Sequence, residues 1–233
     1  MQDATIDAIQ RLCSDKYYSI ITTPGDPFVR PARARLIWAS NTAQAVKNLG
    51  LRTLLAADAS KTPIKFETPN GVNCVKRMIK DTYNVAADFD ICGLFVPPSK
   101  VAKNLSNSNW ALSYEIPRFV FPYTGILHTR DPHVLKRALE AGILGIYEDH
   151  DEDHNKNFTD LPALATQYPN LRVIVAITEA VRIRLLNNGV PDDLIVVLPS
   201  GVNSNSFEQQ PEASLCIRKN LLAEGFKKIV VYS

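Results

Sequence analysis

The chain has 233 residues, of which 45% are hydrophobic and 21% are charged, a composition typical of a soluble globular protein with a sizeable core. Its 26 basic and 24 acidic side chains give a formal net charge of +2, which supplies no general field for binding nucleic acid or an anionic membrane. No stretch approaches the ~20 apolar residues of a membrane span, and the acidic N-terminus lacks the basic head of a secretory signal. We therefore expect a cytoplasmic protein without a nucleic-acid partner, while peripheral attachment to a membrane surface stays open.

The four cysteines are far apart in the sequence and form no Cys-x-x-Cys pair, which argues against a zinc ribbon or a dense disulfide framework. They are Cys13, Cys74, Cys92 and Cys216. We expect reduced structural thiols.

In chain order, the hydrophobic pattern predicts strands and helices that alternate along most of the chain. The predicted strands are Tyr18 to Thr22, Arg52 to Ala56, Asp90 to Val96, Ile126 to His128, Leu144 to Tyr147, Arg172 to Ile177, Leu194 to Leu198 and Lys228 to Tyr232. The predicted helices are Thr5 to Leu12, Ala32 to Leu49, Ile79 to Ala87, Pro132 to Gly142, Leu161 to Tyr168, Thr178 to Asn188 and Pro211 to Leu222. This alternation predicts an α/β protein with a doubly wound, mainly parallel, Rossmann-like sheet.

Two stretches interrupt the alternation. The turn signal Pro69-Asn70-Gly71 predicts a hairpin or two short edge strands, Ile64 to Phe66 and Val72 to Val75. Residues 99–118 contain a run of asparagine and serine, which predicts a polar loop or cap.

The stretch from Gly125 to His154 predicts one strand–helix–strand unit. Thr129 or Asp131 can cap its helix, and Pro132 takes an early helical position where its missing N–H costs nothing. Gly142 suits the end of that helix. The unit therefore has a sequence signal at each of its boundaries.

Because parallel strands need a crossover of this kind, both strands of the unit should end at the same carboxyl edge of the sheet. Arg130 follows the first strand, and Glu148 and His150 follow the second. Ligands of open α/β proteins bind outside the carboxyl ends of the strands. We therefore place the function at this edge.

Residues 148–154 contain five carboxylates and two imidazoles. His150 and His154 would share a helical face and could bind a metal, although hydrated acidic loops are commoner and no distant ligand is recognisable. His150 also lies just past a buried strand, where it could contact a bound hydroxyl or phosphate, or remain a surface histidine. His128, at the end of the preceding strand, is typical of a satisfied core histidine.

The arginines near the predicted edge allow two interpretations each. Arg130 could hold an anion with both arms of its guanidinium or pair with the neighbouring Asp131. Arg30, Arg33 and Arg35 border the first long helix and could line a phosphate-binding mouth or form a solvated helix face. The sequence has no dinucleotide fingerprint, no P-loop and no G-x-S-x-G elbow.

Four motifs, together covering about residues 120–233, resemble glycosyltransferases of family 4, often called group 1, which have the GT-B fold. They are LHTRDP at 127–132, GIYEDH at 145–150, VIVAITEAVRIRLLNNGVP at 173–191 and IVVLPSGVN at 195–203. The first 120 residues resemble the opening βαβ unit of the family only loosely. The resemblance implies a Rossmann-like N-terminal domain that binds the acceptor.

The resemblance also implies roles for individual residues. His150 matches the catalytic histidine of the interdomain cleft that positions the donor sugar, and Arg130 and Glu148 help to shape that cleft. Gly25 and Arg33 belong to the segment after the first strand that faces the donor phosphates. Gly201 matches the glycine of the Asn-Gly-Val-Asp turn of the family, with Ser200 and Asn203 in place of its Asn and Asp.

By this resemblance, residues 1–225 form the N-terminal domain, and residues 226–233 form the first strand or linker of a C-terminal donor-binding domain that is missing. The intact enzyme would be a retaining hexosyltransferase of carbohydrate biosynthesis, moving sugar from a nucleotide-sugar to a saccharide or lipid-linked acceptor hydroxyl. No cofactor is implied beyond the donor. The chain alone would transfer little or no sugar.

Two other functions fit the same sequence. One is a non-catalytic module with the same fold that binds a glycan or a partner protein. The other is an unrelated α/β enzyme or metal-binding domain that uses the cluster from Glu148 to His154.

Overall fold

The structure is a computed structural model, and it describes residues 10–11, 15–22, 34–59, 68–95, 110–150, 160–199 and 201. The chain forms two compact units, residues 1–200 and 201–233, and all the elements below belong to the first. The predicted helix 211–222, the predicted strand 228–232 and the predicted boundary after residue 225 lie outside the described residues and stay predictions.

The described residues of the first unit form a seven-stranded sheet in the order β3-β2-β1-β4-β5-β6-β7. Every neighbouring pair in it is parallel. The strands are β1 Tyr17–Ile21, β2 Thr53–Asp58, β3 Asp90–Leu94, β4 Thr124–Thr129, β5 Leu144–Asp149, β6 Leu171–Ala176 and β7 Ile195–Val197. The prediction of a doubly wound parallel α/β sheet is confirmed.

The helices connect the strands on both faces of the sheet. They are α1 Ala34–Asn48, α2 Pro69–Tyr83, α3 Ile116–Phe119, α4 Pro132–Glu140, α5 Leu161–Gln167 and α6 Glu179–Asn187. A π-helical turn, Ala111–Glu115, leads into α3, and single 3-10 turns occupy Phe121–Tyr123 and Asp192–Leu194. None of the helices in the described ranges has the length and apolar character needed to cross a bilayer.

The order of strands reverses between β1 and β4, which are neighbours in the sheet but far apart in the chain. After β1 the chain builds outward to β2 and β3, and after β4 it builds outward in the other direction. In open α/β sheets the crevice outside such a switch point is where ligands bind. The carboxyl ends of β1 and β4 therefore mark the place to look for a site.

Helix α4 begins and ends where the sequence predicts. The Asp131 carboxylate accepts hydrogen bonds from the backbone N–H of His133, at 2.9 Å, and of Val134, at 3.1 Å. Of the two predicted caps, Asp131 therefore fills the role, and Thr129 instead donates to the carbonyl of Ile21. Gly142 follows the helix with φ +77°, a left-handed conformation that a side chain would strain.

Helix α6 also follows its prediction. The Thr178 hydroxyl accepts a hydrogen bond from the backbone N–H of Val181, and Gly189 ends the segment with φ +90°. Both are the ordinary capping devices of a helix between two strands.

The predicted strand Val72 to Val75 is wrong, because this segment lies inside helix α2. Thr68 caps that helix through a hydrogen bond from the backbone N–H of Gly71, so Pro69-Asn70-Gly71 is the first helical turn. Pro is favoured at that position. The buried residues of α2 then recur every four positions, a helical stripe: Gly71, Val75, Ile79 and Tyr83. The companion strand Ile64 to Phe66 lies outside the described residues.

The predicted polar loop over residues 99–118 is wrong in its second half. Residues 110–119 are helical, Ala111 is buried, and the apolar residues Ile116 and Val120 join the core cluster that includes Ile21 and Leu127 of the sheet. The asparagine- and serine-rich part, residues 104–109, lies outside the described residues.

The core consists of one large cluster on one face of the sheet and two on the other. Helices α1 and α2 cover the first face, where they pack on Ile20, Leu55 and Ile126. Helices α3 and α4 pack on Ile21 and Leu127 of the opposite face. The same face continues across β5 to β7 under α4, α5 and α6. Consecutive residues of a strand therefore enter different cores.

Cys74 and Cys92 are free thiols, as predicted, whereas Cys13 and Cys216 lie outside the described residues. Burial, with a smaller contribution from the nearby Glu115 carboxylate, raises the pKa of the Cys92 thiol to about 11. The Cys92 thiol is therefore protonated at neutral pH and chemically quiet.

We expect Gly145→Ala to destabilise the protein by about 1–3 kcal/mol, because it overpacks the contact between β5 and α4. A Cβ atom at this position would lie 2.9 Å from both Leu135 Cδ1 and Leu139 Cδ2. Urea unfolding measures the loss. Gly201→Ala, where a Cβ atom meets nothing within 4 Å, is the matched control and should change stability by less than about 0.5 kcal/mol.

We expect Asp131→Ala to cost about 1–2 kcal/mol, since it removes the acceptor for two backbone N–H groups at the start of α4. Asp131→Asn keeps an acceptor oxygen in the same place and should retain most of the stability. Thermal unfolding of the two variants provides the comparison, and equal losses would show that capping is not what Asp131 contributes.

Candidate functional site

The carboxyl ends of β4 and β5 lie side by side, with His128 opposite Ile146 and Thr129 opposite Tyr147. Arg130 and His150 follow these strands directly, so both lie at the same edge of the sheet, as predicted. The switch point between β1 and β4 adjoins them. The expected location of the site is therefore the one that the fold favours.

Glu148 lies at the centre of the site and is only 8% exposed. Its Oε1 forms a short hydrogen bond with Nε2 of His150. Its Oε2 lies 3.3 Å from Nε2 of His128, which is ion-pair distance. The second contact is bent away from hydrogen-bond geometry, so the first is the more directional of the two. The buried carboxylate thus lies between two imidazoles.

His128 connects Glu148 to the interior. Its ring is buried, and its Nδ1 lies 3.1 Å from the hydroxyl of Tyr18 on β1. The Trp38 ring of helix α1 meets it edge-on, with centroids 5.3 Å apart. His128 is a core histidine, as its sequence position indicates, and it also contacts the carboxylate at the site.

The register of the strands explains how these residues meet. Tyr18 lies opposite Ile126, two residues before His128 on β4, and His128 lies opposite Ile146, two residues before Glu148 on β5. Side chains two apart on a strand share a face. The three polar residues therefore form a diagonal across the face that α1 and α2 cover, running from the buried interior to the carboxyl edge.

Arg130 and Trp38 form the outer wall of the site. The Arg130 Cζ lies 5.5 Å from the centroid of the Trp38 ring, within the range of a cation–π contact. The Asp131 carboxylate, which the sequence suggested as a partner of Arg130, accepts hydrogen bonds from two backbone N–H groups in the first turn of α4. The Arg130 guanidinium beside this indole therefore places a positive charge near the carboxyl end of β4.

The electrostatics of the site favour an ionised Glu148. Burial by itself would raise the pKa of its carboxyl, but the contacts from His128 and His150, the charge of His128 and the Trp38 indole together lower that pKa to about 2. At neutral pH Glu148 is therefore a hydrogen-bond acceptor and does not serve as a proton donor.

Asp149 faces the other side of the sheet from Glu148. Its Oδ2 lies 2.5 Å from Nη2 of Arg184 on α6, and both side chains are largely buried. This ion pair joins the end of β5 to the helix that packs on the opposite face. Asp149 thus belongs to the packing of α6, while its two neighbours belong to the site.

The other predicted site residues lie outside this group. Gly25 and Arg33 are outside the described residues, and Gly201 is exposed with open space around it. His154 is also outside the described residues. Within the ranges that the structure describes, no three His, Cys, Asp or Glu side chains are grouped so that they could hold a metal ion.

Tyr18 and Trp38 are the site residues that the sequence did not indicate. Both occupy apolar positions of regular elements, Tyr18 in a buried strand and Trp38 on the inner face of α1. They differ from ordinary core residues in the polar group that each carries, the hydroxyl of Tyr18 and the indole N–H of Trp38. No local pattern distinguishes such a residue, because its partner comes from another strand.

No family model and no curated protein sequence matches the chain. Solved structures do match its fold. A glycosyltransferase from Rickettsia africae ESF-5 superposes with a TM-score of 0.54 at 17% identity, covering 88% of this chain and 49% of that one. Anabaena HepE in complex with UDP-glucose superposes with a TM-score of 0.55 at 13% identity, covering 88% of this chain and 49% of that one. HepE in complex with UDP and glucose superposes with a TM-score of 0.56 at 12% identity, covering 88% of this chain and 50% of that one.

The chain has a glycosyltransferase-like fold. At these low identities the likeness concerns the fold alone, and the chain spans about half the length of the structures it matches.

We expect Glu148→Gln to reduce stability at neutral pH by an amount on the order of 3 kcal/mol, because it removes a carboxylate whose pKa lies at about 2 in the folded chain. A carboxyl with a lowered pKa stabilises the fold above its ordinary pKa of 4.5, and the contribution disappears as the pH falls towards 2. The gap between wild type and variant should therefore close over that range.

Urea unfolding at a series of pH values measures this gap. Glu140→Gln is the matched control, since Glu140 is an exposed carboxylate paired with Arg137 on the surface of α4. Its gap should stay small at every pH. A gap for Glu148→Gln that does not depend on pH would contradict the ionised state of the buried carboxylate.

Proposed function

We propose that the chain is the N-terminal, acceptor-side domain of a retaining glycosyltransferase of family 4, with the GT-B fold. The reaction replaces the nucleoside diphosphate on the first carbon of the donor sugar with an acceptor hydroxyl, whose proton is released. The observation that carries the proposal is the Glu148–His150 pair at the carboxyl edge beside the switch point. The fold shared with a glycosyltransferase supports it.

His150 is the residue that meets the ligand. Glu148 is ionised and can only accept, so the Nε2 of His150 carries the proton of their hydrogen bond. In the neutral ring, Nδ1 then holds a lone pair. That lone pair suits a sugar hydroxyl, which donates a hydrogen bond, better than it suits a phosphate oxygen, which accepts one.

Arg130 supplies the positive charge of the same edge. Its guanidinium, beside Trp38, can approach the phosphate side of a nucleotide-sugar while His150 contacts the sugar. We assign Gly25 and Arg33, in the segment after the first strand, to the donor phosphates. Gly201 belongs to the turn after β7.

We assign the two halves of the reaction to two domains. This chain orients the acceptor and the sugar, and a C-terminal domain binds the nucleotide and stabilises the departing diphosphate. The length comparison supports this division, since the chain covers about half of each matched structure.

A non-catalytic module that binds a glycan is the second candidate. Both oxygens of Glu148 already contact histidines, and a carboxylate with a pKa of about 2 does not take up a proton at neutral pH. This arrangement suits binding as well as it suits catalysis. The two candidates differ in whether sugar is transferred.

We expect UDP-glucose to shift the indole N–H resonance of Trp38 in a two-dimensional NMR titration of this chain, because Trp38 borders the site. The second tryptophan, Trp110, lies on the segment before α3 and is the internal reference. His150→Ala should weaken binding about tenfold through the loss of one hydrogen bond. His133→Ala, which removes an exposed imidazole from the start of α4, should leave binding unchanged.

We expect no sugar transfer by this chain alone and transfer when it is continued by a donor-binding domain. In that longer protein, His150→Ala should lower the rate about a hundredfold, and the product should keep the anomeric configuration of the donor. Radiolabelled donor and NMR of the product measure these outcomes. Transfer by the chain alone would contradict the division of labour, and binding without transfer in the longer protein would favour the binding module.

A further inference from the structure

The geometry points to Tyr18 and His128 as positioning residues that hold His150, through the carboxylate of Glu148, in one tautomer and one orientation. This inference rests on the proposed function, because it concerns how the same site presents His150 to its ligand. It assigns a role to two residues that lie too deep in the sheet to touch a ligand themselves.

The contacts form one continuous chain of polar atoms. The Tyr18 hydroxyl lies 3.1 Å from Nδ1 of His128, and Nε2 of the same ring lies 3.3 Å from Glu148 Oε2. The other oxygen of Glu148 bonds to Nε2 of His150. Four side chains from β1, β4, β5 and the residue after β5 are thus joined in a fixed order.

The protons in this series of polar contacts can be assigned by starting from Glu148. An ionised carboxylate only accepts, so each imidazole nitrogen that faces Glu148 carries a proton. In a neutral His128 ring, Nδ1 is then bare and accepts from the Tyr18 O–H, and in a charged ring Nδ1–H donates to the Tyr18 oxygen, so Tyr18 holds the ring in either state. The hydrogen bond from His150 is the directional contact to Glu148, and the His128 contact, held in place by Tyr18, is the less directional one.

Burial separates the positioning residues from the ligand-contacting one. Tyr18 is 8% exposed and His128 is 7% exposed, whereas the side chain of His150 is 18% exposed at the edge of the sheet. Tyr18 and His128 can therefore influence a ligand only through Glu148. Trp38 packs edge-on against the His128 ring and helps to hold that ring in one orientation.

Loss of the Tyr18 hydroxyl would leave Nδ1 of His128 without that hydrogen-bond partner. The His128 ring can then turn about its side-chain bond, and Oε2 of Glu148 loses a fixed partner. The carboxylate gains a second orientation, and His150 is no longer confined to the tautomer with the proton on Nε2. The expected result is a mixed population of His150 rings.

The test is a spectrum of the imidazole nitrogens of the chain labelled with ¹⁵N-histidine, recorded at neutral pH without ligand. In wild type, His150 should show a protonated Nε2 and a bare Nδ1. In Tyr18→Phe the two nitrogens of His150 should shift towards each other, as expected for mixed tautomers. Tyr83→Phe, which removes the hydroxyl of a similarly buried tyrosine in the same cluster, should leave the spectrum of His150 unchanged.

Two substitutions of His128 separate positioning from packing. His128→Gln keeps an N–H donor that can face Glu148 and should preserve most of the wild-type signal of His150, while His128→Leu should lose it. If His128→Leu fails to fold, Tyr18→Phe still tests the inference. An unchanged His150 spectrum in Tyr18→Phe, or a Tyr83→Phe spectrum that shifts as much as that of Tyr18→Phe, would overturn the inference.

The functional readout distinguishes this inference from the proposed function. If the function is right, Tyr18→Phe should lower UDP-glucose affinity or transfer by roughly tenfold to a hundredfold, without a change at the Trp110 reference signal. If neither this chain nor the longer protein with a donor-binding domain binds nucleotide sugar, a shifted His150 spectrum would uphold the positioning role and the proposed function would be overturned. Normal binding by Tyr18→Phe with a shifted spectrum would overturn the link between the two.

Discussion

The burial of one negative charge organises the centre of this fold. Glu148 lies buried at the end of a parallel strand, and an ionised carboxylate in such a place is stable only when donors surround it. Two imidazoles and an indole do so. Removing one partner leaves the charge buried and incompletely compensated, which costs more than the contact itself contributes. The site is therefore also a condition for the stability of the sheet.

This constraint links elements that are distant in the chain. The donors come from β4, from the residue after β5 and from helix α1, and Tyr18 of β1 holds one of the donors in turn. These elements are neighbours only because the strand order reverses between β1 and β4. Because of this strand order, Tyr18 of the first strand supports His128, which in turn contacts Glu148 of the fifth. A change in the packing of α1 would move Trp38 and His128 and so alter the contacts of Glu148 at the edge of the sheet.

The sequence predicts a feature of this structure well when the residues that determine it are close together in the chain, and poorly when they come from distant strands. The unit from β4 to β5 was predicted closely because Asp131, Pro132 and Gly142 determine the start and end of α4 through contacts and backbone conformations within a few residues in the sequence. The hairpin at Pro69-Asn70-Gly71 was wrong because the same three residues suit a hairpin turn and the first turn of a helix. The cap at Thr68 and the stripe of buried residues that follows decide for the helix. The partnership of Tyr18 with His128 could not be predicted, since the register of non-consecutive strands brings them together.

The acidic run after β5 shows why composition alone misleads at a strand end. Glu148, Asp149 and His150 look like one cluster in the sequence, yet successive side chains of a strand point to opposite faces. Glu148 turns towards the face of α1, where histidines meet it, and Asp149 turns towards α6, where Arg184 meets it. Each carboxylate is thus neutralised by a different element. For these three residues the pleat of the strand separates side chains that are adjacent in the sequence, and the His150 imidazole follows at the edge of the sheet.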